Sequence, residues 1–88
     1  MIRDFRTLEL FLTDINVVWT TDIPSTSQVE YQDPNGLIKT TFEDSSLVTS
    51  HSVAIHNLTP STTYILKAIS ISSDQIKTIS DPITGNTF

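Results

Sequence analysis

Apolar and polar residues alternate along most of this chain, which is the pattern of half-buried β-strands. The clearest example is Ile15–Thr21, where Ile15, Val17 and Trp19 occupy alternate positions. Successive side chains of a pleated strand leave opposite faces, so the apolar set should share the face turned to a core. Thr63–Ser72 repeats the pattern. The core residues predicted from these two segments are Ile15, Val17, Trp19, Tyr64, Leu66 and Ala68.

Seven segments carry this strand pattern. Leu8–Leu12 is predicted as a strand rather than a helical turn, since Glu9 separates two leucines. The pattern does not decide whether Gln75–Ile79 is ordered or a loop. The predicted strands are about Leu8–Leu12, Ile15–Thr21, Ser27–Gln32, Leu37–Phe42, Ser50–Leu58, Thr63–Ser72 and Ile83–Phe88.

Turn residues separate the predicted strands. Pro24 cannot donate a ladder hydrogen bond, so Asp22–Ser25 is expected to end the second strand. Asn35-Gly36 accepts the positive φ angles of a tight hairpin turn, so the fourth strand is expected to return beside the third. Seven short strands with turns about every eight to twelve residues predict an all-β fold, a seven-stranded immunoglobulin-like Greek-key sandwich.

Two histidines are the first candidates for chemistry. Within the fifth predicted strand, Val53 and Ile55 are expected to face the core, with His51 and His56 outside that register. The histidines are five residues apart, hence on opposite faces of a strand, and cannot jointly bind a metal without a bulge. We therefore predict surface or edge histidines.

Other candidate groups are equally sparse. Asp33, Glu43 and Asp44 lie near predicted loops, but their spacing is not that of a calcium loop, which favours solvated side chains. The many serines include no Gly-x-Ser-x-Gly motif, and neither histidine has an obvious carboxylate to orient it. The sequence therefore predicts no catalytic, cofactor-binding or metal-binding residue and no enzyme.

Composition limits the function classes further. The 88 residues make one domain, 1–88, and contain no cysteine, so neither a disulfide nor a cysteine-based site is available. The net charge of -5 is spread along the chain, so a clustered positive face for nucleic acid is not expected. No apolar stretch is long enough for membrane insertion. The first residues lack a signal-peptide core, so any export signal is expected upstream.

Three segments resemble one protein family. Trp19–Tyr31 is similar to the Trp-Thr-Thr-Asp-x-Pro-Ser-Thr-Ser-x-Val-x-Tyr run of fibronectin type III modules in large microbial exported proteins. Leu58–Tyr64 resembles the Leu-x-Pro-x-x-x-Tyr corner of that family, with Ser61 where glycine is usual, and Ser80–Gly85 resembles the opening of its last strand. The resemblance covers about Leu8–Phe88. The chain is also similar to the N-terminal β-sandwich domain of purple acid phosphatases.

The resemblance implies a non-catalytic structural or spacer module of a larger exported or cell-surface protein, monomeric and flanked by neighbouring domains. It implies that Trp19 fills the core and that the Tyr64 hydroxyl returns to upstream backbone. With seven strands of alternating direction, Arg6 and Phe88 are expected at opposite poles. Two alternatives stay open. One is an accessory module that binds carbohydrate or a protein partner. The other is the non-catalytic N-terminal domain of a metallophosphatase-like enzyme, since the catalytic signatures of that enzyme are missing here.

A few residues bear on the binding alternative. The last loop lacks Arg-Gly-Asp, so integrin binding is not expected. Asn57-Leu58-Thr59 is a formal N-glycosylation sequon, and Asn57 could be glycosylated only if the protein passes through a glycosylating secretory pathway. The alternative interpretation is that Asn57 is a corner residue beside the core residue Leu58. Three phenylalanines lie outside the positions that the alternation assigns to the core. They either pack within the domain or against a neighbouring domain, or they form an exposed patch that binds polysaccharide. They are Phe5, Phe11 and Phe42.

Overall fold

The computed structural model describes residues 1–88 and consists of antiparallel β-strands with no helix. It therefore has no helix that could cross a membrane. The all-β prediction with seven strands is confirmed. The strands are β1 (Ile2–Leu10), β2 (Ile15–Gln32), β3 (Ile38–Thr40), β4 (Asp44–Ile55), β5 (Thr63–Ile71), β6 (Lys77–Ile79) and β7 (Ile83–Asn86).

The strands form two layers that share β2. The first half of β2 pairs with β1 on one side and with β4 on the other. Its second half, Gln28–Gln32, pairs with β5, and Glu30–Gln32 pairs with β3. Strand β5 also pairs with β6 and β7. The two layers face each other as a sandwich, and the alternating apolar residues of both layers fill the space between them.

Pro24 does not end the second strand, and the prediction that it would was wrong. Strand β2 runs through it, and the pairing with β4 is irregular between Thr20 and Ser25. Here the strand passes from one layer to the other, and Pro24 has no ladder partner. Its missing N–H group therefore costs no hydrogen bond, which is the condition under which a strand tolerates proline.

Several predicted strand bounds also differ from the structure. Strand β1 begins at Ile2 rather than near Leu8, because two register irregularities interrupt the alternation that marks a strand. Asp4 lies at one of them with a φ of 56°. Strand β4 begins at Asp44 rather than near Ser50, and its first seven residues are exposed. The segment left undecided contains strand β6.

The core is the one that alternation predicts. Nine buried apolar residues form it, and Phe5 packs against it from β1, edge to face with Trp19 at 5.7 Å between ring centroids. Tyr31 and Val53 are only partly buried at its margin. The nine residues are Ile15, Val17, Trp19, Val29, Ile55, Leu58, Tyr64, Leu66 and Ala68.

The first and last residues lie beyond opposite ends of β1. Ile2 pairs with Thr21 at one end. At the other end the Phe88 N–H donates a hydrogen bond to the Phe11 carbonyl (3.1 Å). Nine extended residues span about 30 Å, and the molecule measures 38 × 23 × 20 Å. Arg6 pairs with Val18 near the middle of β1, so it does not mark a pole as expected, because the strand begins earlier than predicted.

Candidate binding groove

His51 is buried, and the prediction of a surface or edge position for it was wrong. It lies two residues before Val53 and four before Ile55, so all three share one face of β4. His51 is 3% exposed and is the register partner of Trp19 in β2. The two rings stack in parallel with centroids 4.9 Å apart. The error lay in assigning His51 to the outward face, although its spacing from Val53 places it inward.

Two hydroxyl groups satisfy the buried imidazole. Ser27 Oγ lies 2.6 Å from Nδ1 of His51, and Thr21 Oγ1 lies 2.9 Å from Nε2. Burial lowers the pKa of His51 below its ordinary value of 6.5, so the ring is neutral at pH 7. A neutral imidazole has one donor and one acceptor nitrogen, and each finds a hydroxyl partner.

The Ser27–His51 pair lacks the surroundings of a nucleophile. A catalytic histidine has a carboxylate against its second nitrogen, and here that position holds Thr21. Ser27 and Thr21 are both buried, so neither side chain presents itself to a substrate. This hydrogen-bonded group stabilises the interior of the sandwich.

His56 is exposed and contacts a carboxylate that sequence reasoning missed. Its Nδ1 lies 3.2 Å from Oδ2 of Asp14. The two residues are 42 positions apart and meet because the β1–β2 turn and the end of β4 lie at the same end of the sandwich. No local motif marks such a pair. Both side chains are substantially exposed to solvent, where an ion pair of this kind contributes little stability.

Two of the three predicted loop carboxylates accept hydrogen bonds from nearby backbone N–H groups, Asp33 in the turn after β2 and Asp44 at the start of β4. Asp33 Oδ1 accepts hydrogen bonds from the N–H groups of Asn35 and Leu37, at 2.9 and 3.0 Å. Asp44 Oδ1 accepts one from the N–H of Ser46 at 3.0 Å. Glu43 is exposed. The protein contains no group of three or more side chains that could hold a metal ion.

A groove with both apolar and charged side chains lies on the side of the sandwich between β3 and β4. Two adjoining cavities of about 250 and 370 Å³ form it and share Tyr31, His56 and Asn57. We call it the β3–β4 groove. Its lining consists of Tyr31, Asp33, Leu37, Lys39, Thr40, Thr41, Phe42, Val53, Ala54, Ile55, His56, Asn57, Leu58, Thr59 and Tyr64.

One part of the β3–β4 groove is apolar and the other is polar. Phe42 lines the apolar part and is fully exposed to solvent. Asp33, Lys39 and Asn57 line the polar part. Tyr31 lies between the two parts, and its ring meets that of Tyr64 at 6.4 Å with planes 66° apart. Apolar area combined with a few polar groups is the usual composition of a ligand site.

The three phenylalanines do not form one exposed patch. Phe5 packs on Trp19, as the intradomain interpretation expects. Phe11 is 43% exposed in the turn after β1, next to the Phe88 backbone. Phe42 alone lines the β3–β4 groove, so packing within the domain does not account for it.

The predicted tyrosine corner borders the groove. The Thr59 N–H donates a hydrogen bond to the Tyr64 hydroxyl at 2.9 Å, and Tyr64 is buried. Asn57 is exposed with a φ of 60°, a conformation that asparagine tolerates, and Leu58 beside it is buried. Ser61 adopts a φ of 53° at the position where the family usually has glycine.

Comparison with known proteins supports this architecture. No family model and no curated protein matches the sequence. Among solved structures, the chain is similar to a myokine, with a TM-score of 0.81, 19% identity, and coverage of 98% of this chain and 94% of that one. It is similar to the FN5 domain of Drosophila Lar, with a TM-score of 0.75, 17% identity, and coverage of 98% and 92%. The third fibronectin III domain of human KIAA0343 protein matches with a TM-score of 0.70, 14% identity, and coverage of 96% and 78%. At these identities the likeness establishes architecture, and the chain has the fibronectin type III fold.

Proposed function

We propose that this domain is a non-catalytic structural module that spaces or docks other domains of a larger exported or cell-surface protein. The observation that carries the proposal is the separation of the chain ends. Met1 and Phe88 lie beyond opposite ends of β1 in a molecule 38 Å long. A chain that enters at one end of a domain and leaves at the other suits a head-to-tail array.

The interior supports a structural role. Every buried side-chain nitrogen and oxygen has a hydrogen-bond partner. Buried polar groups that are fully paired rigidify a core, whereas catalytic groups are accessible to substrate. The export part of the proposal rests on the resemblance of Trp19–Tyr31 to modules of large microbial exported proteins.

Domain replacement in the parent protein tests the spacer role. A different fibronectin type III domain of similar length in place of residues 1–88 is expected to preserve the activity of the parent, because only distance and rigidity matter. A short Gly/Ser linker at the same place is expected to impair it. Loss of activity with both replacements would show that this domain contributes more than length and would contradict the proposal.

An activity assay tests the non-catalytic part. The isolated domain is expected to hydrolyse neither p-nitrophenyl phosphate nor p-nitrophenyl glycosides, and to retain no metal after dialysis. His56→Ala is the informative variant, since His56 is exposed while His51 belongs to the core. Turnover that survives repurification and disappears in His56→Ala would overturn this part.

A binding module is the second candidate function, and the β3–β4 groove is the observation that favours it. The groove is distinct from the two chain ends, so binding and spacing are compatible in one domain.

A further inference from the structure

Phe42 follows a residue whose backbone and side chain are both hydrogen-bonded to β2. The Thr41 N–H donates to the Val29 carbonyl (2.9 Å), and the Val29 N–H donates to Thr41 Oγ1 (2.9 Å). Gln28 Nε2 donates to the Thr41 carbonyl (3.0 Å). Three hydrogen bonds thus anchor the residue before a ring that is itself fully exposed. Two of these bonds join Val29 to Thr41, the register pair that follows Glu30–Thr40, so the sheet fixes the backbone from which the exposed Phe42 ring extends.

Several polar side-chain groups in the β3–β4 groove have no hydrogen-bond partner in the protein. The Tyr31 hydroxyl, the Lys39 ammonium and the Asn57 amide take part in no intramolecular hydrogen bond, whereas the neighbouring Tyr64 hydroxyl is paired. Asp33 uses one carboxylate oxygen for its turn and leaves the other free. The groove therefore offers a phenol, an ammonium, an amide and a carboxylate oxygen to a ligand.

The charges in the groove are balanced. Asp33 and Lys39 line the same cavity, and neither belongs to an ion pair of the protein, while His56 pairs with Asp14. One carboxylate and one ammonium carry no net charge, so the pair does not select for an anion or for a cation. A neutral ligand with many hydroxyl groups fits this set, since it accepts hydrogen bonds from the ammonium and the amide and donates to the carboxylate.

These features together point to a sugar. A pyranose ring has an apolar C–H face, which fits the exposed Phe42 ring, and an edge of hydroxyl groups, which fits the polar part of the groove. We propose that the β3–β4 groove binds one or two residues of a neutral oligosaccharide, with Phe42 and Tyr31 against the sugar faces and Asp33, Lys39 and Asn57 hydrogen-bonding its hydroxyls. The cavity lined by Phe42, about 370 Å³, lies within the size range of small-ligand sites, and the polar cavity of about 250 Å³ adjoins it.

The β3 side of the groove does not favour an extended peptide. Peptides that add to a sheet edge gain their affinity from a run of backbone hydrogen bonds. Strand β3, which forms one side of the groove, is three residues long, and residues 41–43 between it and β4 belong to no strand. The edge of β3 is therefore too short for a typical strand of five or six residues.

Titration by NMR is the direct test. Cellohexaose, xylohexaose and mannohexaose are each added to the ¹⁵N-labelled domain, with tetragalacturonate as the charged control. At least one neutral hexaose is expected to shift the amide signals around Tyr31, Phe42 and Asn57, with a Kd of roughly 1 mM or lower. The uronate is expected to leave them unshifted.

Three variants localise the binding. Phe42→Ala is expected to weaken it roughly tenfold, as loss of a central aromatic contact does. Tyr31→Phe is expected to weaken it several-fold, because it removes only the free hydroxyl. Phe88→Ala is the matched control, since that side chain is 67% exposed and does not line the groove, and the affinity should be unchanged.

Other results would overturn the proposal. Absence of shifts with all three hexaoses at about 10 mM would do so, because that concentration detects even millimolar affinity. Binding that persists unchanged in Phe42→Ala, or preferential binding of the uronate, would contradict the assigned site or its neutral ligand. A peptide selected from a random library that binds the wild type and is lost in Phe42→Ala, without any sugar binding, would assign the groove to peptide. The spacer role is tested separately, because Phe42→Ala in the parent protein leaves the domain length unchanged.

Discussion

The indole of Trp19 and the imidazole of His51 stack in the core with their planes 5° apart and their centroids separated by 4.9 Å. They face each other because they are register partners in β2 and β4. Trp19 Nε1 donates a hydrogen bond to Ser70 Oγ at 3.0 Å, on the opposite layer. The pair thus joins the apolar core to the hydroxyl groups that bind the two rings. Substitution of Trp19 should report the loss of buried apolar area, and substitution of His51 should report the cost of protonating a buried ring.

Trp19→Ala is expected to lower the free energy of unfolding by about 3–5 kcal/mol, because it removes a large side chain that is 1% exposed. That loss is a large part of the total stability of a domain this size. Urea melts followed by far-UV circular dichroism measure it. Phe42→Ala is the matched aromatic control and should change stability by less than about 0.5 kcal/mol, since Phe42 is fully exposed. Similar midpoints for the two variants would mean that Trp19 is not a core residue.

Stability is expected to decrease as the pH falls below about 6.5, through His51. Burial lowers the pKa of His51 in the folded protein, so the unfolded state binds the proton more tightly. The stability that depends on a neutral His51 is fully present above the ordinary pKa of 6.5. It is lost as the pH falls through the pKa of the folded protein, and the free energy of unfolding then decreases by at most about 1.4 kcal/mol per pH unit. Urea midpoints at about pH 7.5 and 5.5 measure the difference.

The second histidine provides the control for this pH effect. His56→Gln should keep the dependence, because His56 is exposed, whereas His51→Gln should remove most of it. A His51→Gln protein that folds and retains the full dependence would assign the titration to another group.

Tyr64→Phe is expected to cost about 1–2 kcal/mol with the fold intact, because it removes the acceptor of the Thr59 N–H bond and little area. Tyr31→Phe is the matched control. The Tyr31 hydroxyl has no intramolecular partner, so its removal should leave stability nearly unchanged. Equal urea midpoints for both variants and the wild type would dismiss the tyrosine corner as a stabilising contact.

Gly85→Ala is expected to destabilise by about 1–3 kcal/mol through overpacking. A Cβ atom there would lie 3.1 Å from Leu66 Cδ1 and 3.2 Å from Ile15 Cδ1 and Thr7 Cγ2, and Leu66 and Ile15 are buried core residues. The double variant Gly85→Ala/Ile15→Val, measured by urea unfolding, should cost less than the sum of the two single variants, because the smaller side chain relieves the contact. Strict additivity would contradict a packing cause.

Gly36→Ala is the matched control. It should also destabilise, but the cause is the positive φ of 88° at Gly36, so adding Ile15→Val should not reduce the cost of this substitution.

The core could be predicted from the alternation of apolar and polar residues along the chain. Trp19, Tyr64 and the other alternating residues are buried as expected, because the two-residue period of a strand decides which side chains share a face wherever one face is buried. The corner at Tyr64 is equally local, since donor and acceptor are five residues apart. Where the alternation is interrupted by irregular pairing, as in β1, the local pattern no longer located the strand.

The polar environment of the histidines depended on tertiary structure. His51 meets Ser27 and Thr21 across 24 and 30 residues, and His56 meets Asp14 across 42, so no sequence window contains either set of partners. The β3–β4 groove has the same origin, because it combines Tyr31 of β2 with Phe42 and Asn57, which lie in the connections that follow β3 and β4. Alternation along a strand determined which residues are inside this protein. The pairing of strands distant in sequence decided which polar groups meet there and which surface is left open to a ligand.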